Sequence, residues 1–249
     1  MKLKYLAGLT FLLALGVAHA EHHEGIFVTP NQSHGELLLP DPPTSNSLST
    51  KAELAVLHHI QDTRSDEEVA QAKSDSHNES IFLYATLFGD KFNPRNLPLT
   101  AILSQEIAND ESANVDVLKP YWHRLRPFLL DKTLTPVCSG HSKSGSYPSG
   151  HATVGFLEGL ALIEMVPEKR DLILQRAENF AHNRLICGVH YPSDLAAGER
   201  FAYAIHALMT ANPRFQHDLK AAGREIRATL DLPALDKSAA PVSANKATK

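Results

Sequence analysis

Hydrophobic and polar positions follow helical spacing along most of this chain. Over 99–117, apolar side chains recur about every 3.6 residues, as they do on one face of an α-helix. Similar patterns cover 153–165, 168–182, 194–211 and 214–230, whereas the alternation typical of β-strands is nearly absent. The chain is therefore predicted to be all-α, a single-domain helical bundle. The apolar positions of the first stretch are Leu99, Ile102, Leu103, Ile107, Ala113 and Val117.

Local signals predict where several of these helices begin. Thr50-x-x-Glu53 and Ser65-x-x-Glu68 have the form of capping boxes, in which two side chains bind the free N–H groups of a first turn. Proline is tolerated in the first turn because its missing N–H has no partner there. Prolines stand near the starts of three predicted helices, at Pro167, Pro192 and Pro213.

The two ends of the chain are predicted to lie outside the bundle. Residues 1–20 combine a basic start, an apolar run and the small-x-small pattern of Ala18-His19-Ala20, which indicates a secretory signal peptide cleaved after Ala20. Residues 21–48, rich in Pro, Ser and Asn, are predicted to form an extended arm. The domain is expected over 49–232, and 233–249 has the composition of a disordered tail.

The charge balance argues against two classes of partner. The full chain has a net charge of −4, and removal of the signal peptide also removes Lys2 and Lys4. A negative exported chain gives no support for binding nucleic acid or an anionic membrane surface. The longest later apolar run, 154–166, is broken by Glu158 and Glu164, so no membrane span is predicted. A homo-oligomer is left open.

The chain has two cysteines, Cys138 and Cys187, and both lie in the predicted exported part. An oxidising compartment permits a disulfide, and two cysteines allow one intramolecular pair. Closing a loop of this length is worth roughly 4 kcal/mol in the chain-entropy treatment. A disulfide is therefore expected, with two reduced thiols as the alternative.

Three groups of polar residues suggest phosphate chemistry. Lys119 and Arg126 are seven residues apart, so they can point from one face of a helix. Pro148-Ser149-Gly150-His151 leads into an apolar helix, whose free N–H groups favour an anion. In the third group, a carboxylate can orient an imidazole as a nucleophile beside a guanidinium. That group comprises Asn183, Arg184, His190 and Asp194.

Together these groups resemble the type 2 phosphatidic acid phosphatase (PAP2) superfamily. The matching patterns are Lys119-x6-Arg126-Pro127, Pro148-Ser149-Gly150-His151 and Arg184-x5-His190-x3-Asp194. The wider sequence, from LLLPDPP to ANPRFQHDLKAAG, is similar to the bacterial class A nonspecific acid phosphatases. The resemblance implies the helical bundle shared by PAP2 enzymes and vanadium haloperoxidases, with small phosphomonoesters as substrates and no metal or other cofactor.

The same resemblance implies a role for each motif residue. His190 would attack phosphorus and become a phosphohistidine, Asp194 would orient it, and His151 would protonate the leaving oxygen. The phosphate oxygens would be bound by Lys119, Arg126, Ser149, Gly150 and Arg184. The chain contains Ser-Gly-His twice, and the copy at 149–151 is favoured because Pro148 precedes it and a helix follows. His141 of the other copy is expected to be exposed and inactive.

Two departures from the family pattern concern the site. Asn183 stands where the family usually has Ser, and Pro120 follows Lys119 where the family commonly continues a helix. Pro120 is expected either to start a new helical segment or to kink the old one.

Other functions remain as alternatives. They are a lipid-phosphate or isoprenyl-pyrophosphate phosphatase, a vanadate-dependent haloperoxidase, and a non-catalytic phosphate-binding protein. The last is disfavoured because such a protein need not retain both His151 and His190.

Overall fold

The computed structural model describes residues 24–139 and 145–235, and this part of the chain contains helices and no β-strand. The all-α prediction is confirmed. The predicted signal peptide, His141 and residues 236–249 lie outside the described residues. The helices are α1 (Pro30–Ser33), α2 (Gly35–Leu38), α3 (Leu48–Thr63), α4 (Asp66–Asp75), α5 (Pro98–Asp116), α6 (Lys119–Trp122), α7 (Pro127–Leu130), α8 (Gly150–Met165), α9 (Arg170–Ile186), α10 (Pro192–Thr210) and α11 (Pro213–Thr229).

Helix α8 is the centre of the bundle. Residues 152–159 are all buried, so every side of the helix is covered, as expected for a helix that is apolar all round. Helices α5, α9, α10 and α11 pack against it. None of the helices in the described ranges is long and apolar enough to span a membrane.

A glycine on α10 fixes the position of the first turn of α8. A Cβ at Gly198 would lie 2.6 Å from the backbone oxygen of Ser149, closer than atoms can approach. Only a residue without a side chain allows the two helices to approach this closely. Helix α10 therefore holds the N-terminus of α8 in place at the surface of the core.

The predicted helix starts are partly confirmed. Ser65 and Glu68 form the predicted capping box of α4. The box predicted at Thr50 is wrong, because α3 begins earlier and Ser47 is its cap, accepting a hydrogen bond from the Thr50 N–H. Helix α9 begins at Arg170 because Pro167–Lys169 forms a short 3₁₀ turn, and a second 3₁₀ helix covers Ile81–Leu87.

The segment before α3 is tied to the bundle at a buried carboxylate. Asp110 of α5 accepts hydrogen bonds from the backbone N–H groups of Ile26, Phe27 and Val28. Phe27 and Val28 are themselves buried in the main core. The prediction of an extended arm is wrong for residues 30–38, which form the single turns α1 and α2. The domain boundaries at 49 and 232 remain a prediction.

Candidate active site

The first turn of α8 contains the second Ser-Gly-His tripeptide. Ser149 is fully buried and caps the helix, with its Oγ accepting a hydrogen bond of 3.3 Å from the Ala152 N–H. At Gly150, a Cβ would lie 2.8 Å from Glu111 Oε1 and 3.8 Å from Lys119 Nζ. The missing side chain leaves room beside a helix N-terminus, where N–H groups favour a bound anion.

The cations predicted to bind phosphate come from separate segments. Lys119 opens α6, Arg126 directly precedes α7, and Arg184 lies in the last turn of α9. The prediction that Lys119 and Arg126 share one helical face is wrong. Helix α6 ends at Trp122; the next residue, His123, has a left-handed φ of 48°, and Arg126 is extended. Both side chains nevertheless line the same pocket as Arg184.

Arg184 has an unused hydrogen-bond donor at this pocket. The side chain is buried, and its Nε has no hydrogen-bond partner among the described residues. Burial, together with the charge of Arg126, lowers the pKa of Arg184 to about 10, so the guanidinium stays positive at neutral and acid pH. A buried cation with an unsatisfied donor fits an oxyanion bound in the pocket.

The contacts of His190 fix which of its nitrogens carries hydrogen. Its Nδ1 lies 3.2 Å from Asp194 Oδ2, and its Nε2 lies 3.1 Å from Arg126 Nη1. A guanidinium can only donate, so Nε2 is the acceptor and Nδ1 donates to the carboxylate. Burial lowers the pKa of His190 well below its usual range, and the charges of Arg126 and Arg184 lower it further. His190 is therefore neutral, with a lone pair on Nε2.

A buried ion-pair network behind His190 includes two residues whose role the sequence analysis did not identify. Arg124 donates to Asp194 Oδ1 at 2.6 Å and to Glu53 Oε2 at 2.7 Å. Glu53 also accepts from the Ser193 N–H at 2.7 Å. Burial raises the pKa of Asp194, whereas the Arg124 cation opposes the rise by favouring the carboxylate. The sequence offered a weak signal for Arg124, its position two residues before Arg126.

The pocket has a volume of about 330 Å³ and brings together six of the predicted site residues. Lys119, Arg126, Gly150, His151, Arg184 and His190 contribute to its lining, with Gly150 supplying backbone. Ser149 lies beneath Gly150 as the helix cap, and Asp194 lies behind His190. The sequence-predicted residues therefore converge on one pocket or support its lining directly.

Two carboxyl groups in the pocket wall, Glu79 and Glu111, were missed by sequence reasoning. Glu79 Oε1 lies 2.9 Å from His151 Nδ1. Burial raises the pKa of Glu111 to about 8; Lys119 opposes the rise, and the carboxylates of Glu79 and Asp116 add to it. Glu111 is therefore a neutral acid at acid and neutral pH. Neither residue belongs to a motif, and no sequence signal marks them.

The ionisation of Glu111 gives a testable pH dependence. Above about pH 8 Glu111 adds a further negative charge to the pocket, beside the carboxylates of Glu79 and Asp116. We expect the affinity for inorganic phosphate, measured by calorimetry, to fall about 3- to 10-fold more between pH 7 and pH 9 in the wild type than in Glu111→Gln. Glu164→Gln, at the far end of α8, is the control. An identical pH dependence in wild type and Glu111→Gln would contradict this assignment.

Only the first residue of the first Ser-Gly-His copy lies in the described part of the chain. Ser139 contributes to the lining, while Gly140 and His141 lie outside the described residues. The expected disulfide is present between Cys138 and Cys187, with a Cα–Cα distance of 5.2 Å. It ties the segment before the first copy to the end of α9, next to Arg184.

The two departures from the family pattern have local explanations. Asn183 is buried, and its Nδ2 donates to Asp75 Oδ2 at 2.7 Å. Asp75 also accepts two hydrogen bonds from Arg176, so the amide joins a buried link between α4 and α9. Pro120 lies in the first turn of α6, so it starts a new helical segment and does not kink an existing helix.

Comparisons with known proteins identify the family of this chain. The PAP2 superfamily model matches residues 97–217. An acid phosphatase of Zymomonas mobilis is 31% identical over 217 residues, covering 84% of this chain and 81% of the relative. A non-specific acid phosphatase of Providencia stuartii is 30% identical over 195 residues, covering 76% and 79%. The chain belongs to the PAP2 superfamily.

A solved structure supports the fold assignment. A bacterial vanadium-dependent iodoperoxidase superposes with a TM-score of 0.56 at 16% identity, over 73% of this chain and 54% of that one. At this identity the likeness concerns the fold alone. The predicted bundle of the PAP2 and vanadium haloperoxidase type is confirmed.

Proposed function

We propose that this protein is an acid phosphatase that hydrolyses phosphate monoesters through a phosphohistidine intermediate on His190. The observation that carries the proposal is the state of His190, a buried neutral imidazole whose Nε2 lone pair lies among Lys119, Arg126 and Arg184. The activities named for the Zymomonas and Providencia relatives support the same reaction.

The first half of the reaction transfers the phosphoryl group to the protein. The lone pair of His190 Nε2 attacks phosphorus, and a new N–P bond forms as the ester P–O bond breaks. The electron pair of the broken bond goes to the leaving oxygen, which takes a proton from His151. Asp194 accepts from His190 Nδ1 at 3.2 Å, which fixes the ring and balances the positive charge that develops on it.

The second half of the reaction returns the protein to its starting state. Water attacks phosphorus while His151, now neutral, takes a proton from that water. The N–P bond breaks, and its electron pair returns to His190 Nε2. Inorganic phosphate leaves the pocket, and both histidines regain their original protonation.

Fixed positive charge would stabilise the transition state. Charge accumulates on the equatorial oxygens of the phosphoryl group, where Lys119, Arg126 and Arg184 can bind them. The Ser149 hydroxyl and the Gly150 N–H add donors at the start of α8. These groups supply the positive charge that divalent metals supply in many other phosphoryl-transfer enzymes, so we propose a metal-independent reaction.

The buried position of His190 also explains why the enzyme would work at acid pH. A nucleophilic imidazole must be unprotonated, and an exposed histidine is largely protonated below about pH 6. Burial and the adjacent guanidinium groups keep His190 neutral there. We further propose that small phosphomonoesters are the substrates and that the protein acts in the periplasm or after secretion.

Metal independence and oxyanion binding can be tested together on the purified protein. We expect hydrolysis of nitrophenyl phosphate to survive EDTA with less than about a twofold loss. Vanadate is expected to inhibit at concentrations at least about 100-fold below the substrate KM, because its five-coordinate form resembles the transition state. Complete loss of activity on chelation, restored by one divalent metal, would contradict the mechanism.

The same preparation distinguishes the alternative functions. A panel of sugar phosphates, alkyl phosphates, phosphatidate and isoprenyl pyrophosphate would show whether lipid substrates are preferred. A halide-oxidation assay with vanadate and peroxide tests the haloperoxidase alternative. Activity confined to the lipid substrates would favour the lipid-phosphate or isoprenyl-pyrophosphate phosphatase, and activity confined to halide oxidation would favour the haloperoxidase. Either result would contradict the proposal.

A further inference from the structure

The guanidinium of Arg124 is buried beside the phosphate pocket without lining it. Arg124 lies between α6 and α7 and is 8% exposed. Arg126, two residues further on, belongs to the described lining of the pocket, whereas Arg124 does not. The Arg124 guanidinium lies over the Tyr191 ring, 3.9 Å from its centroid, a contact that favours a planar cation. Arg124 therefore acts on the site from behind the phosphate-binding residues.

The carboxylate of Asp194 has different partners at its two oxygens. Oδ1 accepts a hydrogen bond from Arg124 Nη1 at 2.6 Å. Oδ2 accepts from His190 Nδ1 at 3.2 Å and from the Tyr191 N–H at 2.9 Å. Asp194 is fully buried, so a lost partner would leave a buried polar atom unsatisfied. The contact with Arg124 therefore fixes the rotation of the carboxylate and keeps Oδ2 facing the imidazole.

Glu53 of α3 holds the Arg124 guanidinium in turn. Its Oε2 accepts from Arg124 Nη2 at 2.7 Å, and its Oε1 accepts from the Ser193 N–H at 2.7 Å. Arg124 Nη1 also donates to Ser193 Oγ at 2.7 Å. Both terminal nitrogens of a planar fork are thus bound, one by α3 and the other by α10. These contacts leave the guanidinium a single orientation.

The charges of this network favour a carboxylate next to His190. Burial raises the pKa of Asp194, and the positive charge of Arg124 opposes that rise. A buried carboxylate without a compensating cation is costly. When the N–P bond forms, the ring of His190 becomes positive, and a negative charge at Nδ1 stabilises it. Arg124 therefore contributes both the position and the charge of the group that stabilises the ring.

We propose that Arg124 is a positioning residue that fixes the Asp194 carboxylate against His190 Nδ1 and thereby accelerates phosphoryl transfer to Nε2. Glu53 contributes by holding Arg124. This inference rests on the proposed function, in which His190 is the nucleophile. The Nε2 lone pair forms the N–P bond, the P–O electron pair goes to the leaving oxygen, and the Nδ1 hydrogen stays on the ring. Arg124 neither gives up a proton nor contacts a reacting atom, so its effect concerns the transfer rate and not substrate binding.

Single-turnover kinetics of Arg124→Gln test the proposal. Glutamine lacks the charge and the fork, so Asp194 should be held less firmly. We expect phosphoryl transfer to slow about 10- to 100-fold, by similar factors for nitrophenyl and alkyl phosphates, because both need the nucleophile. The Kd for inorganic phosphate, measured by calorimetry, should change by less than about twofold. Transfer within about twofold of wild type, or phosphate affinity reduced as much as the rate, would overturn the proposal.

Two further variants separate positioning from a structural role. Arg124→Lys keeps the charge but replaces the fork by one ammonium group, so it should be faster than Arg124→Gln and slower than wild type. Arg227→Gln is the matched control. Arg227 is also 8% exposed, lies 3.0 Å from Glu168, and donates to the carbonyl of Met165, where α8 ends. We expect Arg227→Gln to lower the Tm without slowing phosphoryl transfer. Equal slowing in Arg227→Gln, or Arg124→Lys slower than Arg124→Gln, would overturn the proposal.

A double-mutant cycle tests the role of Glu53. In Glu53→Gln the amide NH₂ faces a donor, either Arg124 or the Ser193 N–H, so Arg124 should be held less firmly. Transfer should slow about 3- to 10-fold at unchanged phosphate affinity. If Glu53 acts through Arg124, the double variant should be no slower than Arg124→Gln alone, and fully additive losses would overturn this role. Should Arg124→Gln fail to fold, the rate of Glu53→Gln decides, and an unchanged rate would overturn the proposal.

A measurement without substrate separates this inference from the proposed function. The Nδ1 proton of His190, bonded to a carboxylate, should give a low-field NMR resonance that is absent from His190→Ala. We expect this resonance to move upfield in Arg124→Gln and to stay in place in Arg227→Gln. An unmoved resonance in Arg124→Gln would overturn the role of Arg124 even if the wild type is a good phosphatase. If the wild type hydrolyses neither substrate, the proposed function fails, and the resonance still decides whether Arg124 fixes the contact between Asp194 and His190.

Discussion

Replacement of His190 by alanine is expected to abolish hydrolysis of both nitrophenyl and alkyl phosphates. A nucleophile is required whatever the leaving group, so the loss should be at least about 10⁴-fold in kcat for each substrate. His182→Ala, an exposed histidine on α9, is the control and should retain full activity. Calorimetric binding of phosphate to His190→Ala would show that the pocket survives. Turnover within tenfold of wild type would exclude His190 as the nucleophile.

Replacement of His151 by alanine is expected to separate the two substrates. Nitrophenolate leaves readily without a proton, whereas an alkoxide does not. The phosphoryl-transfer step of an alkyl phosphate should therefore slow by a factor within the roughly 10²–10⁴ typical of general acid catalysis, with a much smaller effect on nitrophenyl phosphate. Single-turnover kinetics are needed, because His151 also activates the water that clears the phosphoenzyme.

The repeated tripeptide supplies the control for this experiment. His141 follows Ser139-Gly140 as His151 follows Ser149-Gly150. The sequence predicts that a helix begins at the second copy and predicts none at the first. We expect His141→Ala to change neither substrate by more than about twofold. If His141→Ala is as damaging as His151→Ala, the wrong Ser-Gly-His copy has been assigned.

Helix α5 shows how far periodicity predicts this fold. The apolar spacing correctly predicts a helix, and Leu103 and Ile107 are buried as expected for its inner face. Leu99 and Ile102 are 48% and 58% exposed, although the same pattern included them. The buried face instead includes polar residues, among them Asp110, which binds the arm. A pattern based on hydrophobicity cannot identify buried polar side chains whose partners are distant in sequence.

The contacts of the candidate site could be predicted where the two residues are close in sequence, and they were missed where the residues are far apart in sequence. Arg184, His190 and Asp194 lie within one motif. His190 and Asp194 are four residues apart, and their side chains are in contact. Glu53 and Arg124 are 71 residues apart, and Glu79 and His151 are 72 apart, so their pairing depends on the folded bundle. These contacts form only when the helices pack together, because Glu53 lies on α3, Glu79 follows α4, and His151 lies on α8.

The phosphorylated intermediate is the most direct test of the mechanism. Protein mixed with ³²P-labelled substrate should be quenched in alkali within milliseconds, because phosphohistidine is stable there and hydrolyses in acid. Peptide mapping is expected to find the label on His190, at a level approaching one phosphate per active site when dephosphorylation is slow. A label on any other residue, or turnover without a labelled protein in His151→Ala, where clearance should be slowest, would contradict the phosphohistidine mechanism.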